Sequence, residues 1–342
     1  MPWSDAAVNV RAGLLLLPLA ACATDPHYEG PVPVRNQHPA QLTVQHMDPA
    51  GATPLGRANS TLRIDNAYSS LFLSGSGGGN SFSMDGEILR TSFRQGIGIA
   101  DDLDLTVEIP FLYTTGGFLD SFLIEYHDLF NLPDQGRDTA PKDRFEVLAT
   151  HQGSTAYQVK AHDLDLQDIP ITLAWYPLPA TRERGFGLGL RAGVELPIGD
   201  EEQGFGNGEF DFALGAVGEW RGPGFTLTGH AQHTFAGSPK SAERAGTGFR
   251  DVTSLGVGIE WPWSNGFTVL VQSEWETSTL RDLGFARVAD PHWLLWTGFR
   301  VRVSERVSLD ATLGEDLNTY VSPDFTAFLG VAVRLGPSPG GR

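Results

Sequence analysis

The chain has 342 residues, 41 of them glycine, with 10% aromatic and 19% charged side chains and a formal charge of -17. That field repels polyphosphate, so nucleic-acid binding is close to excluded. A single cysteine excludes a disulfide framework and any zinc site built on several thiolates. No apolar run reaches about 18 residues, which removes helical membrane spans and leaves a large soluble β-protein or a membrane β-barrel.

Residues 12–21 are almost wholly apolar around Leu14-Leu15-Leu16-Leu17. The stretch is too short to span a bilayer and suits the core of a signal peptide over 1–21, although its basic flank is thin. Leu19-Ala20-Ala21-Cys22 resembles the lipobox of bacterial lipoproteins, where the cysteine is acylated and becomes the mature N-terminus. Ala21-Cys22-Ala23 also reads as an ordinary A-x-A cleavage site. Under the first reading Cys22 is the lipid attachment residue, and the absence of an Asp after it implies the outer membrane. Two acyl chains suffice for stable anchoring. Residues 22–59 are broken by Pro26, Pro31, Pro33, Pro39, Pro49 and Pro54 and read as a periplasmic tether or a short plug.

From residue 60 to 335 the dominant period is two. Leu103, Leu105, Val107, Ile109 and Phe111 alternate with polar residues, as do Leu255, Val257, Ile259 and Trp261 with Gly256, Gly258 and Glu260. Successive side chains of a strand point to opposite faces, so each segment has one apolar and one polar face. The strands fall at 61–73, 84–99, 103–113, 168–177, 186–197, 209–220, 225–236, 250–261, 266–277, 293–303, 306–314 and 325–335. Many are long enough to cross hydrocarbon at a tilt of ~45°. About twelve strands is an even number, as bacterial single-chain barrels require.

Counted from a periplasmic start, every lower connection in this set is shorter than every upper one, including an upper loop at 74–83. Trp175, Trp220 and Trp261 fall at lower strand ends, and Trp275, Trp293 and Trp296 near upper ends, as two interfacial girdles. The expected fold is therefore all-β: a closed antiparallel transmembrane β-barrel in the bacterial outer membrane, with outer-membrane lipid and lipopolysaccharide around it.

The longest connection carries the one amphipathic helix, at 117–131. Phe118, Leu119, Phe122, Leu123 and Tyr126 share a face, and Asp120, Glu125 and Asp128 lie opposite. It reads either as a gating helix over the lumen (Phe118, Asp120, Phe122, Glu125 and His127) or as a helix lying on the rim or the lipid headgroups. Asp120, Ser121 and His127 are spaced six or seven apart, too far for a catalytic relay on one helix. Gly75-Ser76-Gly77-Gly78-Gly79-Asn80 lacks the Lys of a phosphate loop and reads as a flexible outer loop.

The polar faces define a lumen. Its acids are Asp104, Glu108, Glu195, Asp211, Glu219, Glu260, Glu274 and Asp310, and its bases are Arg191, Arg300, Arg302 and Arg334. The acidic excess argues for mild cation preference, unless Arg–carboxylate pairs fill the interior as struts. His230 shares this face and His233 the opposite one, so the two cannot chelate one ion, and His230 reads as a solvated lumen side chain. No metal site or cofactor is implied, and no catalytic residue is assigned. Small inward residues, among them Gly187, Gly189, Gly193, Gly256 and Gly258, leave room for a narrow pore or a plug.

Several strings resemble an uncharacterised family of bacterial outer-membrane barrels, a domain of unknown function. They are Gly30-Pro31-Val32-Pro33-Val34-Arg35-Asn36-Gln37, Asn66-Ala67-Tyr68-Ser69, Gly117-Phe118-Leu119-Asp120 with His127, and Leu196-Pro197-Ile198-Gly199-Asp200. The resemblance implies a fold and a location and carries no catalytic residues. Many such barrels end on an aromatic residue that the barrel-assembly machinery reads. Here residues 336–342, Gly-Pro-Ser-Pro-Gly-Gly-Arg, follow the last strand as a flexible tail. The favoured function is passive or gated passage of small polar solutes. The alternatives are a non-transporting surface barrel and a lipid-modifying barrel enzyme, the latter needing a Ser or Thr beside a His on neighbouring strands.

Overall fold

The protein was analysed as a computed structural model that describes residues 28–119, 144–160, 164–181, 185–318, 321–323 and 325–336. The strands are β1 (Ser60–Gly77), β2 (Asn80–Ala100), β3 (Leu103–Thr115), β4 (Glu146–His151), β5 (Ser154–Val159), β6 (Asp165–Leu166), β7 (Ile169–Leu178) and β8 (Phe186–Leu196). They continue as β9 (Asp211–Gly222), β10 (Phe225–Phe235), β11 (Val252–Ser264), β12 (Phe267–Glu276), β13 (His292–Arg302), β14 (Val307–Asp316) and β15 (Phe325–Leu335).

All fifteen belong to one sheet. Three stand outside the ring: β4 and β5 form a hairpin on the outer end of β2, and β6 adds two residues beside β3. The other twelve are antiparallel neighbours in chain order, β3 pairs with β7, and β1 closes on β15 from Ser60↔Leu335 to Ser70↔Phe325. Closure leaves no strand edge in the wall, which is the condition for a sheet to sit in hydrocarbon.

The exposure pattern is the reverse of a water-soluble core. Val257, Leu329 and Leu214 are 65%, 62% and 60% exposed, whereas Glu260 and Asp310 are each 2% exposed. Apolar side chains face out around the ring and charged ones face in. Trp175, Trp220, Trp263 and Trp293 stand on the outer surface. Trp296 does not join that girdle. It lies three residues from Trp293, hence on the other face, and is buried against Val32 and Val34.

The first hairpin also departs from expectation. No loop spans 74–83, because the β1–β2 ladder continues to Gly77↔Asn80. Gly78 and Gly79, at φ +61° and +87°, make the two-residue turn, a conformation that glycine adopts without penalty. This upper turn is therefore shorter than the lower connection 179–185, and the rule that every lower connection is the shorter fails there. The extended hairpin carries β4 and β5 as an outer flap. The amphipathic helix expected at 117–131 lies, from residue 120 onward, outside the described residues. Phe118 and Leu119 are not helical, and the α-helix among the described residues is the short Lys240–Arg244.

A charge placed on the outer face tests the lipid boundary directly. Val257→Arg, mid-strand in β11, is expected to lower unfolding stability in lipid by about 2–4 kcal/mol, read from the urea midpoint after reconstitution. An unchanged midpoint would place that face in water.

Candidate functional site in the lumen

Residues 28–59 lie inside the ring rather than beside it. Prolines deny this stretch a ladder of its own, yet its backbone N–H groups are enclosed by the wall and need acceptors. The inward side chains of the strands supply them.

The segment enters at the end of the short turns, where the Tyr28 hydroxyl donates to the Gly222 carbonyl at 3.5 Å. The Glu29 carboxylate there faces Arg300, Arg302 and Arg334 at 3.9, 3.6 and 3.5 Å. The N–H groups of Glu29 and Gly30 donate to the Glu260 carboxylate, each at 3.0 Å. Val32 donates to Gln272 Oε1 at 2.7 Å, and the Gln272 amide returns a bond to the Val32 carbonyl at 3.0 Å. Higher up, the Asn36 and Gln41 amides donate to Glu276 Oε1 at 2.6 and 2.8 Å.

The chain reverses in a single 3-10 turn, Gln41–Thr43. The buried Arg35 guanidinium clamps this reversal by donating to the carbonyls of Gln41 and Val44 at 2.7 and 3.2 Å. On the way down, Gln45, Met47, Ala52 and Leu55 donate their N–H groups to Asp211, Gln232, Glu219 and Asp104 at 3.1, 2.9, 2.8 and 2.9 Å. The chain then leaves into β1 at the end where it entered. It is a hairpin without a ladder, held by the wall.

Close approach depends on small wall residues. A Cβ on Gly193 would stand 2.5 Å from Gln45 Nε2 and 3.1 Å from Met47, so a side chain there would push the segment off the wall. At the outer end Leu42 and Val44 join an apolar cluster with Leu71, Phe82, Tyr157, Phe205 and Phe249, which caps the lumen from outside.

The charged residues expected in the lumen have these places. Asp104, Glu219 and Glu260 accept segment N–H groups, and Asp211 does so while facing Glu195 across the β8–β9 ladder. Arg191 donates to the Asp48 carbonyl at 2.7 Å. Arg300 binds Asp310 at 2.6 Å and Glu260 at 3.1 Å, while Arg302 and Arg334 face Glu29. Glu108 pairs with Arg90 at 2.8 Å and Arg94 at 3.1 Å. Glu274 lies against His46 and His230. Glu108, Glu260 and Asp310 are thus tied to arginines as struts, while Asp104, Asp211 and Glu195 form no ion pair with an Arg or Lys among the described residues.

The sequence reading missed Arg63, Asp65, Arg90 and Arg94. Arg94 binds Asp48 and Asp65, both at 2.6 Å, as well as Glu108, and so ties the segment to β1 and β3. Arg63 bridges Asp65 and Asp310 at 2.8 and 2.7 Å. Their signal was present, since Arg63 and Asp65 alternate with Leu62 and Ile64.

Of the proposed gate, Asp120, Phe122, Glu125 and His127 lie outside the described residues, as does Cys22. Phe118 is exposed beside the Tyr68 ring, and the N–H groups of Phe118 and Leu119 donate to Glu87 Oε1 at 2.9 and 2.5 Å, which fixes where the longest outer connection begins. On the outer rim Asp168 accepts from the N–H groups of Gly199 and Asn207 at 2.8 and 3.2 Å, and burial pushes its carboxyl up to about 7.

Between the two legs, at the short-turn end, is a cavity of about 550 Å³. Its lining includes Glu29, Asp48, Arg63, Arg94, Glu108 and Arg191. It is polar, walled by both charges, and large enough for a small solute.

A closed ring with an apolar outside and a charged, occupied inside defines an outer-membrane β-barrel. The chain is similar in fold to an outer-membrane channel from Pseudomonas putida F1, at 13% identity and a TM-score of 0.54, over 85% of this chain and all of that one. It is also similar to the NanC porin (7% identity, TM-score 0.46, 81% and 99% covered) and the KdgM porin (8%, 0.42, 79% and 98%). No curated protein matches the sequence. Residues 13–335 match the family described as "Protein of unknown function (DUF3187)", and the chain belongs to it. Its location is the bacterial outer membrane.

Removing Arg94 leaves three carboxylates without their shared cation. Arg94→Ala is expected to cost about 3–5 kcal/mol of unfolding stability, the usual result of breaking a buried pair on one side. Equal urea midpoints for the two proteins would contradict that role.

Proposed function

We propose that the protein is a gated channel for small polar solutes, closed by residues 29–55 as its plug. The single observation behind this is the bonding of the segment. Its backbone N–H groups reach the wall carboxylates and amides that would otherwise line a water-filled pore. Hydrogen bonds and ion pairs of this kind exchange readily with water once water enters. A segment held by a β-ladder or a disulfide could not leave so cheaply. The cavity of about 550 Å³ serves as the inner vestibule, and the apolar cluster around Leu42 is the outer seal. Displacing the segment would expose a lumen of mixed charge, suited to polar solutes.

Acylation of Cys22 fits the same scheme. Six residues on from it comes Tyr28, and a chain of that length can reach at most about 20 Å, enough for the inner leaflet from the short-turn end. An anchor there would keep a displaced plug near its pore.

Planar-bilayer recording tests the proposal. The intact protein should be closed at most voltages. A variant lacking residues 30–55, shown by electrophoretic mobility to be folded and inserted, should open steps at least about tenfold larger than any of the intact protein. A folded deletion variant that stays silent would end the channel reading.

A second reading rests on one contact. His233 and Thr253 are paired across β10 and β11 on the lipid face, His233 Nδ1 lies 2.9 Å from Thr253 Oγ1, and Asp251 Oδ2 is 3.8 Å from His233 Nε2. A hydroxyl, an imidazole and a carboxylate in contact near the outer leaflet suit acyl hydrolysis of a lipid. Purified protein should then release fatty acid from lipopolysaccharide, and His233→Ala should reduce release by more than about a hundredfold. Absence of release by the intact protein removes this reading.

A further inference from the structure

Four buried polar atoms meet in the upper lumen without a hydrogen-bond partner: His46 Nε2, His230 Nε2 and both carboxylate oxygens of Glu274. His46 comes from the luminal segment, His230 from β10 and Glu274 from β12. Their side chains are 5%, 7% and 3% exposed. The cost of leaving one such atom unpaired is about 1–3 kcal/mol, and here two imidazoles flank one carboxylate.

We propose that His46, His230 and Glu274 bind a divalent metal ion of the zinc class. Glu274 Oε1 is 3.4 Å from His46 Nε2 and 3.7 Å from His230 Nε2. Neither contact makes a hydrogen bond, yet both imidazole nitrogens lie within ion-pair reach of one carboxylate oxygen. Ligand atoms at about 2.0–2.1 Å from a tetrahedral ion stand about 3.3–3.4 Å apart, so a small contraction suits an ion between them. Imidazole nitrogen with carboxylate oxygen is a common zinc donor set.

The wall is shaped for it. His230 faces Gly256 across the ladder, and a Cβ at Gly256 would stand 2.1 Å from the His230 ring, so only glycine lets the imidazole lie there. A void of about 10 Å³ is lined in part by His230, Glu274 and Trp296. Glu276 Oε2 is 4.0 Å from His46 Nδ1, and His46, Glu274 and Glu276 hold ligand atoms within 4.8 Å of one another. In the free site His46 Nδ1 is 3.0 Å from the Gln232 amide nitrogen. On ligation through Nε2, Nδ1 carries the proton, and Glu276 is its acceptor in place of Gln232. Glu276 is then a positioning residue for the His46 ligand.

An ion here joins the luminal segment to two wall strands. Metal binding stands on its own geometry, while the consequence that the ion locks the pore shut rests on the plug reading above.

The test uses the full-length protein in detergent, stripped with chelator and titrated with Co²⁺ and Zn²⁺. One equivalent of Co²⁺ should give the intense visible bands of a tetrahedral N/O site, displaced by Zn²⁺. Glu274→Gln and His230→Ala should lose that site. Glu276→Gln should weaken zinc about 10- to 100-fold, and His151→Ala, on the outer hairpin, should change nothing. Zinc at about 100 times its Kd should lower the apparent unfolding equilibrium constant about a hundredfold in the intact protein and leave Glu274→Gln unmoved, which also shows that the variant is folded. Intact protein that binds no equivalent, or variants that bind like the parent, overturn the proposal. A folded deletion variant that stays silent in the bilayer would refute the channel reading and leave the metal result standing.

Discussion

The organising constraint is the need of an irregular backbone for hydrogen-bond partners inside a ring that excludes bulk water. Prolines keep residues 29–55 out of any ladder, and enclosure denies them free access to solvent. A few N–H groups bond within the segment, as Val34 does to Val32, and for others the wall supplies Glu260, Gln272, Asp211, Gln232, Glu219 and Asp104. The acidic luminal face is thus first a set of acceptors. The charges left over are balanced by Arg94, Arg300 and Arg63, which reach several carboxylates each. A buried charge survives only when paired in this way.

The same arrangement joins fold to function. The barrel closes because hydrocarbon tolerates no open edge, and closure creates a lumen wide enough for two chain passages. Much of the contact between that lumen and the segment inside it is polar, of a kind that water can compete for. The largest apolar cluster among the described residues is at the outer end, around Leu42, Phe82 and Phe205, with smaller ones around Trp296 and Tyr176. The molecule therefore has a greasy outer cap, a polar middle and an inner vestibule, in that order.

Most of the wall was legible in the sequence because a lipid-facing strand obeys the strictest pattern in protein chemistry, one face apolar and the other not. The alternation located all twelve ring strands and the inward direction of residues such as Glu219 and Asp310. It failed where another force took over. Glycines 78 and 79 sit in a glycine-rich run that resembles a loop, yet they turn a ladder that extends beyond the membrane. Trp296 was assigned by residue type, although its parity with Arg300 placed it inside. The route of the luminal segment was invisible, because its order comes from contacts distant in the sequence, Gln45 with Asp211 among them. Residue pairing of that kind leaves no local periodicity. The meeting of His46 with His230 and Glu274 was hidden for the same reason.

Amide hydrogen exchange on the membrane-embedded protein measures the central claim most directly. Peptides covering Gly30, Val32, Gln45, Met47, Ala52 and Leu55 should exchange nearly as slowly as the strands whose side chains hold them. If those amides exchange at the rate of an unstructured chain, the segment does not live in the lumen, and the account of the acidic wall, the seal and the gate is wrong.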